Sequence, residues 1–441
     1  GDATASGTIS AQGDITFGAN AIINEVTSSN GAISVGGTTS ANGNITSAKS
    51  QTFNGAFTLQ SDVELSAGTN TITFKGTVNG THALTIGNNA NTTNVTFEKS
   101  VGSVNKLASL DVKGNATANE AISTTGNIAV GGVANVTEVT SSGGAISVTG
   151  DATASGTISA SGNITFGANA IINEVTSTNG AISVTGTTSA NGNITSAQSQ
   201  TFNGEFTLNN SVTILAKENT VLFKGTVNGT HALTIGNNAN ATNVTFEKSV
   251  GSVNKLASLD VKGNATANEA ISTTGNIAVG GVANVTEVTS SGGAISVTGD
   301  ATASGTISAS GNITFGANAI INEVTSTNGA ISVTGTTSAN GNITSAQSQT
   351  FNGEFTLNNS VTILAKNNTV LFKDTVNGTY DLAIGNNANA TNVTFEKSAG
   401  STDVINSLFV KGNITAKDKI TTKGNISVGG TSSITSATSQ S

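Results

Sequence analysis

The sequence predicts an all-β fold, a parallel β-helix (β-solenoid) in which short strands stack turn upon turn into a rod. Three observations lead to this prediction: apolar residues recur at every second position, tight-turn residues separate these segments, and the pattern repeats along the chain. With 36 % hydrophobic and only 10 % charged residues, the chain of 441 residues should fold rather than remain disordered.

The chain consists of three copies of one long repeat. The segment GDATASGTISA begins at Gly1, Gly150 and Gly299, so the copies are 149 residues apart. We divide the chain into copy one (1–149), copy two (150–298) and copy three (299–441), and we expect them to form one continuous rod. Copies two and three are identical up to residue 366 of copy three, after which Glu218 corresponds to Asn367 and copy three diverges. Repeated copies would present the same face every 149 residues, so that weak contacts add along one molecule.

A shorter period of 18 residues lies inside each copy. Ile146, Ile164 and Ile182 each follow a Gly by two positions, and they are 18 residues apart. Three strands of roughly four or five residues with corners between them fill such a turn, and turns stack at about 4.8 Å. At about 18 residues per coil, the chain would make roughly 24 turns. Because 149 is not a multiple of 18, some turns must be longer or shorter.

Strand words such as NITF and AISV place Thr or Ser between apolar residues, which is the period of a half-buried strand. Two side chains of these words are predicted to face water, Thr165 and Ser183. The residues on either side of them are predicted to point into the core: Ile164, Phe166, Ile182 and Val184. Phe recurs at Phe17, Phe166 and Phe315, so its packing belongs to the repeat.

Gly and Asn words mark the corners between strands. Asn79-Gly80, Gly87-Asn88-Asn89 and Gly143-Gly144 suit tight corners with positive φ. Pro is absent from the chain, as expected where nearly every backbone N–H bonds to the next turn.

Composition argues against several classes of protein. The pI is about 4.8 and all 17 basic residues are Lys, scattered singly, which argues against a nucleic-acid partner. No apolar run approaches the roughly 20 residues of a transmembrane helix, so we expect no transmembrane segment. With 0 Cys there is no disulfide framework and no thiolate metal site.

The repeats provide an internal test for catalytic residues, because a residue that does chemistry once may be unique, whereas a structural residue should recur in register. His82 and His231 are equivalent, and copy three has Tyr380 at that position. Asp111 and Asp260 are likewise replaced by Phe409. We therefore interpret these histidines and aspartates as surface or structural residues.

The recurring carboxylates favour a solvated surface over an active site. Glu25, Glu174 and Glu323 stay in the word NEV, and Glu98-Lys99 belongs to the word FEK. Adjacent residues on a strand point to opposite faces, so Glu98 and Lys99 should pair across turns rather than with each other. Polysaccharide-cleaving β-helices need clustered carboxylates, and neither such a cluster nor a Ca²⁺-binding nonapeptide or nucleotide-binding Gly motif is present. We expect no enzyme activity and no catalytic, cofactor-binding or metal-binding residues.

Five segments of the sequence resemble the passenger regions of large bacterial autotransporter adhesins, including rickettsial surface antigens, and of filamentous-haemagglutinin-like exoproteins. These segments are GNITF, TFNGEFTL, TVNGTHALTIGNNAN, VTFEKSVGSVNKLASLDVKGN and TTGNIAVGG. The resemblance covers essentially the whole chain. It implies a right-handed parallel β-helix, an outer-membrane secretion partner, and adhesion or a coat at the bacterial cell surface. Because the signal and secretion regions of such proteins are absent, we expect an internal fragment or a processed part. LTIGNNANATN is also similar to the head repeats of trimeric autotransporter adhesins, which we rank lower because their period is not sustained.

We predict a non-enzymatic, secreted or surface-displayed repeat protein that serves as a rigid stalk or filament segment. Its partners would be host-cell or glycan receptors or other copies of itself. Two alternatives remain: a self-assembling surface-layer or extracellular filament subunit, and a carbohydrate-active β-helix enzyme or phage-type spike.

Overall fold

The computed structural model describes residues 1–217, 219–366 and 368–439, in which all regular secondary structure is β-strand. The predicted parallel β-solenoid is confirmed, with strands stacked about 18 residues apart over about 24 turns. Glu218 and Asn367, where copies two and three first differ, lie outside the described residues, as do Gln440 and Ser441 at the end of copy three.

The chain forms two compact units, Gly1–Asn219 and Thr220–Ser441, and the boundary between them falls inside copy two. The strands of the first unit are β1 (Ala3–Thr4), β2 (Thr8–Ala11), β3 (Ile15–Phe17), β4 (Ala21–Ile23), β5 (Glu25–Ser28), β6 (Ile33–Val35), β7 (Thr39–Ala41), β8 (Ile45–Ser47), β9 (Gln51–Phe53), β10 (Phe57–Leu59), β11 (Val63–Ser66), β12 (Thr71–Phe74), β13 (Val78–Asn79), β14 (Ala83–Ile86), β15 (Asn94–Phe97), β16 (Ser109–Val112), β17 (Ala116–Ala118), β18 (Ile122–Thr124), β19 (Ile128–Val130), β20 (Ala134–Val136), β21 (Val139–Ser141), β22 (Ile146–Val148), β23 (Ala152–Ala154), β24 (Thr157–Ala160), β25 (Ile164–Phe166), β26 (Ala170–Ile172), β27 (Glu174–Ser177), β28 (Ile182–Val184), β29 (Thr188–Ala190), β30 (Ile194–Ser196), β31 (Gln200–Phe202), β32 (Phe206–Leu208) and β33 (Val212–Ala216).

The strands of the second unit are β34 (Thr220–Phe223), β35 (Val227–Asn228), β36 (Ala232–Ile235), β37 (Asn243–Phe246), β38 (Ser258–Val261), β39 (Ala265–Ala267), β40 (Ile271–Thr273), β41 (Ile277–Val279), β42 (Ala283–Val285), β43 (Val288–Ser290), β44 (Ile295–Val297), β45 (Ala301–Ala303), β46 (Thr306–Ala309), β47 (Ile313–Phe315), β48 (Ala319–Ile321), β49 (Glu323–Ser326), β50 (Ile331–Val333), β51 (Thr337–Ala339), β52 (Ile343–Ser345), β53 (Gln349–Phe351), β54 (Phe355–Leu357), β55 (Val361–Ala365), β56 (Thr369–Phe372), β57 (Val376–Asn377), β58 (Leu382–Ile384), β59 (Asn392–Phe395), β60 (Leu408–Val410), β61 (Ile414–Thr422), β62 (Ile426–Val428) and β63 (Ser432–Ser439).

Apolar and hydroxyl side chains alternate along these segments, so each forms a β-strand with one buried face and one solvent-exposed face. In β25, Ile164 is 0 % exposed and Phe166 is 1 % exposed, while Thr165 between them faces solvent. In β28, Ile182 and Val184 are buried and Ser183 is half-exposed. The predicted inward and outward residues are therefore confirmed.

Parallel pairing of equivalent strands in successive turns builds three sheets around the core of the first unit. The isolated bridge residue Val101 takes the place of one strand, between β13 and β18. Sheet one contains β1, β4, β7, β10, β13, Val101, β18, β21, β24, β27, β30 and β33. Sheet two contains β2, β5, β8, β11, β14, β16, β19, β22, β25, β28 and β31. Sheet three contains β3, β6, β9, β12, β15, β17, β20, β23, β26, β29 and β32.

The second unit repeats this arrangement, with Val250 bridging β35 to β40. Sheet four contains β34, β37, β39, β42, β45, β48, β51, β54 and β57. Sheet five contains β36, β38, β41, β44, β47, β50, β53, β56, β59, β61 and β63. Sheet six contains β35, Val250, β40, β43, β46, β49, β52, β55, β58, β60 and β62.

One copy of the long repeat is not a whole number of turns. Gln51 lies on β9, the third strand of sheet three, whereas its counterpart Gln200 lies on β31, the eleventh strand of sheet two. Because every turn passes through sheets one, two and three in that order, a copy advances the chain by seven and two-thirds turns. In the second unit, Asp260 of sheet five and its counterpart Phe409 of sheet six show the same shift. The expectation that the copies present one common face is therefore wrong, since equivalent residues occupy different sheets.

Stacked phenylalanines fill part of the core. Phe53, Phe74 and Phe97 occupy successive turns with ring centroids 5.2 Å apart, and Phe57 packs edge-on against Phe74 at 5.1 Å. All four rings are 0 % exposed. Stacking identical rings one turn apart buries large apolar area.

The corner glycines serve two different purposes. Gly80 has φ 137° and Gly87 has φ 83°, as predicted. Gly143 and Gly144 do not have positive φ, so that prediction was wrong. A Cβ on Gly144 would lie 2.5 Å from the backbone nitrogen of Asn127 on the preceding turn. Glycine is required there because stacked corners leave no room for a side chain.

Candidate functional site

The two histidines lie at the surface. His82 Nδ1 is 3.7 Å from Asp62 Oδ1, and the two side chains are 39 % and 78 % exposed. His231 is half-exposed at the equivalent corner, and Tyr380 of copy three is 41 % exposed. Among the described residues, no three His, Cys, Asp or Glu side chains come together as a metal site.

The equivalent aspartates form surface ion pairs on their own strands. Lys113 Nζ is 2.6 Å from Asp111 Oδ2, and Lys262 Nζ is 2.7 Å from Asp260 Oδ2. Phe409 takes this position in copy three and is 37 % exposed. Because solvent screens such pairs, they contribute at most about 1 kcal/mol each to stability.

The glutamates of the NEV and FEK segments lie on the solvated surface. Glu25 is exposed and accepts a hydrogen bond from the Thr8 hydroxyl of the preceding turn at 3.2 Å. Lys99 pairs across one turn with Glu120 at 3.0 Å, as predicted. The expectation that Glu98 and Lys99 point to opposite faces was wrong, because β15 ends at Phe97 and both side chains are exposed at the corner.

Asparagine and aspartate side chains at the corners cap the backbone of the next turn. Asn163 Oδ1 accepts from the Ala181 N–H at 2.9 Å, and Asp14 Oδ1 accepts from the Ala32 N–H at 2.8 Å. The side-chain oxygen thus accepts the backbone N–H hydrogen bond that a main-chain carbonyl of the neighbouring strand accepts within the sheet. This role was not predicted from the sequence, although the segments GNIT and GDIT interchange Asn and Asp before the same Ile.

A buried amide crosses the core once in each copy. Gln200 Nε2 donates to Ser196 Oγ at 3.0 Å and to the Leu215 main-chain oxygen at 2.9 Å. Gln349 in copy three makes the equivalent contacts with Ser345 Oγ and the Leu364 oxygen, also at 3.0 and 2.9 Å. The role of this Gln was not predicted from the sequence, although the segment SQTF places it at an inward strand position.

Two carboxyl groups in the second unit are held ionised by their neighbours. A hydrogen bond from Lys397 lowers the pKa of Asp374, and the two groups are 3.0 Å apart. Hydrogen bonds from Ser407 and then Asn406 lower the pKa of Asp381. Both changes favour a charged surface and provide no proton donor near neutral pH.

Small apolar voids lie in the core at equivalent positions of the two units. Each measures about 20 Å³ and has no polar lining; Val130 and Ile146 line the first, and Val279 and Ile295 line the second. Such dry spaces are too small for an organic ligand.

Two shallow surface grooves recur at equivalent positions, one in each unit. We name each groove after the copy that supplies its first six lining residues, since the last two belong to the start of the next copy. The copy-one groove has a volume of about 330 Å³ and is lined by Thr117, Ala118, Asn119, Asn135, Val136, Thr137, Thr153 and Ser155. The copy-two groove has a volume of about 320 Å³ and is lined by Thr266, Ala267, Asn268, Asn284, Val285, Thr286, Thr302 and Ser304. These linings match residue by residue at the spacing of 149. The grooves were not predicted from the sequence, because they consist of ordinary strand and corner residues.

In the part of the chain that the structure describes, no helix has the length and hydropathy needed to span a membrane. Comparison with known proteins gave no match to a protein-family model, to a curated protein or to a solved structure.

Proposed function

We propose that this chain is a non-enzymatic structural and adhesive repeat protein of the bacterial cell surface, in which the solenoid serves as a rigid stalk or filament segment. The observation that carries the proposal is the way the fold uses its polar side chains. Asn163 caps the next turn, Gln200 ties two turns through the core, and Lys99 pairs across a turn with Glu120. These contacts favour a stiff stacked structure over a reactive cleft.

Surface display, an outer-membrane secretion partner and receptors on host cells belong to the same proposal. Support comes from the resemblance of the strand words to autotransporter passengers and from an outer surface of Thr, Ser and Asn. Such a surface offers many weak neutral contacts, and weak contacts on one molecule can add.

Electron microscopy and a cell-binding assay test this function together. We expect isolated stiff rods that bind to host cells when the purified chain is added to them. Flexible or compact particles would contradict the stalk. Polymers that lengthen with protein concentration would favour the filament subunit, and release of sugars from a polysaccharide would favour an enzyme.

A further inference from the structure

We propose that the copy-one and copy-two grooves each bind a neutral oligosaccharide, an inference that rests on the proposed adhesive function and specifies its ligand class. The grooves offer hydrogen-bonding groups that the fold itself does not use.

The copy-one groove carries two short columns of polar side chains. Thr117, Asn135 and Thr153 lie in register on β17, β20 and β23. The second column, Asn119, Thr137 and Ser155, follows each of these strands by one residue. Parallel strand geometry places neighbours about 4.8 Å apart between turns and about 6.6 Å apart along a strand. The result is a small grid of hydroxyl and amide groups.

These side chains are free, unlike those at the corners. Among the described residues, the Asn119 and Asn135 amides and the Thr153 hydroxyl have no hydrogen-bond partner, and the Thr137 hydroxyl is buried without one. By contrast, Asn115 at the neighbouring corner accepts from the Val133 N–H at 2.8 Å. Asparagine at the corners is therefore part of the fold, whereas asparagine in the groove is available to a ligand.

The chemistry of the lining favours sugars. None of the eight lining residues is charged, so an anionic ligand would find no counter-charge there. Val136 is half-buried beside the grid, which provides apolar contact for the C–H groups of a sugar ring. A peptide strand could not add to the sheet here, because β20 is already paired on both edges, with β17 and β23.

Copy three lacks the same arrangement. Lys417 stands where copy one has Asn119, and its Nζ is 3.1 Å from Glu396 Oε1. Ser433 replaces Asn135, and the Thr435 hydroxyl donates to the Ala416 oxygen at 3.1 Å. The described residues therefore provide two complete grids, and we infer two ligands per chain.

Calorimetric titration of the full chain with cellohexaose and with N-acetylchitohexaose tests the inference. We expect at least one of these probes to bind with a stoichiometry of two. Asn135→Ala should leave one site, and the double variant Asn135→Ala, Asn284→Ala should weaken binding at least tenfold. Thr153→Val, which removes a hydroxyl at constant shape, should also abolish one site.

Thr165→Ala is the matched control, because Thr165 is an exposed strand residue outside the groove, and it should keep both sites. Circular dichroism establishes that each variant is folded. The proposal is overturned if neither hexasaccharide binds to the natural chain, or if the double variant binds like the natural chain. A double variant that no longer binds the sugar but still adheres to cells would show that the grooves are not needed for adhesion, and it would overturn their proposed role in adhesion. A natural chain that binds the sugar but not cells would contradict the adhesive function and leave the groove standing.

Discussion

Gln51 Nε2 donates a hydrogen bond to the main-chain oxygen of Ser66, 2.8 Å away on the next turn. The same nitrogen lies 3.0 Å from the Ile45 oxygen and 3.1 Å from Ser47 Oγ. The Gln51 side chain is 0 % exposed. A polar group in an otherwise apolar stack distinguishes one register from its neighbours, since a slipped turn would leave the Nε2 hydrogens without acceptors, in addition to Oε1, which is buried without a partner in this register.

Gln51→Met should therefore loosen the turns around β9 and β11. It removes an amide that serves three buried acceptors, and we expect a loss of about 1–3 kcal/mol in local opening free energy. Hydrogen exchange of the amides in both strands measures this change. Gln60→Met, at an exposed position, is the control and should have little effect. Equal exchange in the two variants would show that the buried amide does not stabilise the register.

Asn163→Ala should destabilise the corner before β28. Loss of the Oδ1 acceptor leaves the Ala181 N–H without its 2.9 Å bond, at an expected cost of about 1 kcal/mol, as for a lost helix cap. Asn163→Asp keeps the acceptor and should restore stability at neutral pH, because Asp14 already makes this bond to Ala32. Exchange of the Ala181 amide distinguishes the two variants. A result in which Ala and Asp behave alike would rule out capping.

Gly31→Ala should be poorly tolerated, whereas Gly13→Ala, one turn earlier in the same column, should not. A Cβ on Gly31 would lie 2.3 Å from the backbone nitrogen of Asp14, while a Cβ on Gly13 meets nothing within 4 Å. Overpacking against backbone costs about 1–3 kcal/mol. Urea denaturation followed by circular dichroism should show an earlier onset for Gly31→Ala alone. Similar curves for both variants would contradict the steric explanation.

Phe74→Ala should be the most damaging single truncation of the first unit. Phe74 stacks at 5.2 Å on both Phe53 and Phe97, and its loss interrupts the ring column. Large-to-small substitutions of buried Phe cost about 3–5 kcal/mol. Phe17→Ala is a suitable comparison because Phe17 is 9 % exposed, and it should cost less. Local opening free energies from hydrogen exchange decide the order, and the reverse order would contradict the central role of the column.

Asp381 should show acid-dependent loosening in the second unit. The hydrogen bond from the Ser407 hydroxyl at 2.6 Å, then that from Asn406, lower the pKa of Asp381 from its ordinary value of 3.8. A lowered folded-state pKa stabilises the fold above the ordinary value, and this contribution disappears as the pH falls through the folded-state pKa. Ser407→Ala should raise the pKa of Asp381 towards 3.8, measured by NMR titration of the carboxyl carbon.

Ser360→Ala is the control for this titration. The Ser360 hydroxyl lies 3.5 Å from the Asp381 carboxylate and should shift the pKa less than Ser407 does. A Ser407→Ala variant with an unchanged Asp381 titration would contradict the assigned cause.

The repeat pattern was sufficient to predict the strands and the turn length. Ile164 and Phe166 point inward and Thr165 outward because a strand alternates faces whatever it packs against. The groove could not be predicted in this way. Thr117, Asn135 and Thr153 become neighbours only through pairing of strands about 18 residues apart, and nothing in the local words distinguishes a free Asn135 from a capping Asn115.

Local sequence alone thus determined an all-β solenoid, its hydrophobic centre and its short strands, because alternation, β-propensity and turn preference act over a few residues. Tertiary structure decided which turns stand above one another. It placed Gln51 and Gln200 on different sheets. It also made glycine necessary at position 144 because the preceding turn leaves no room for a side chain, and not because the backbone has a positive φ. Some turns are longer than others because they contain inserted residues. The sheet on which an equivalent residue of the next copy lies therefore depends on the pairing register of all the strands in between.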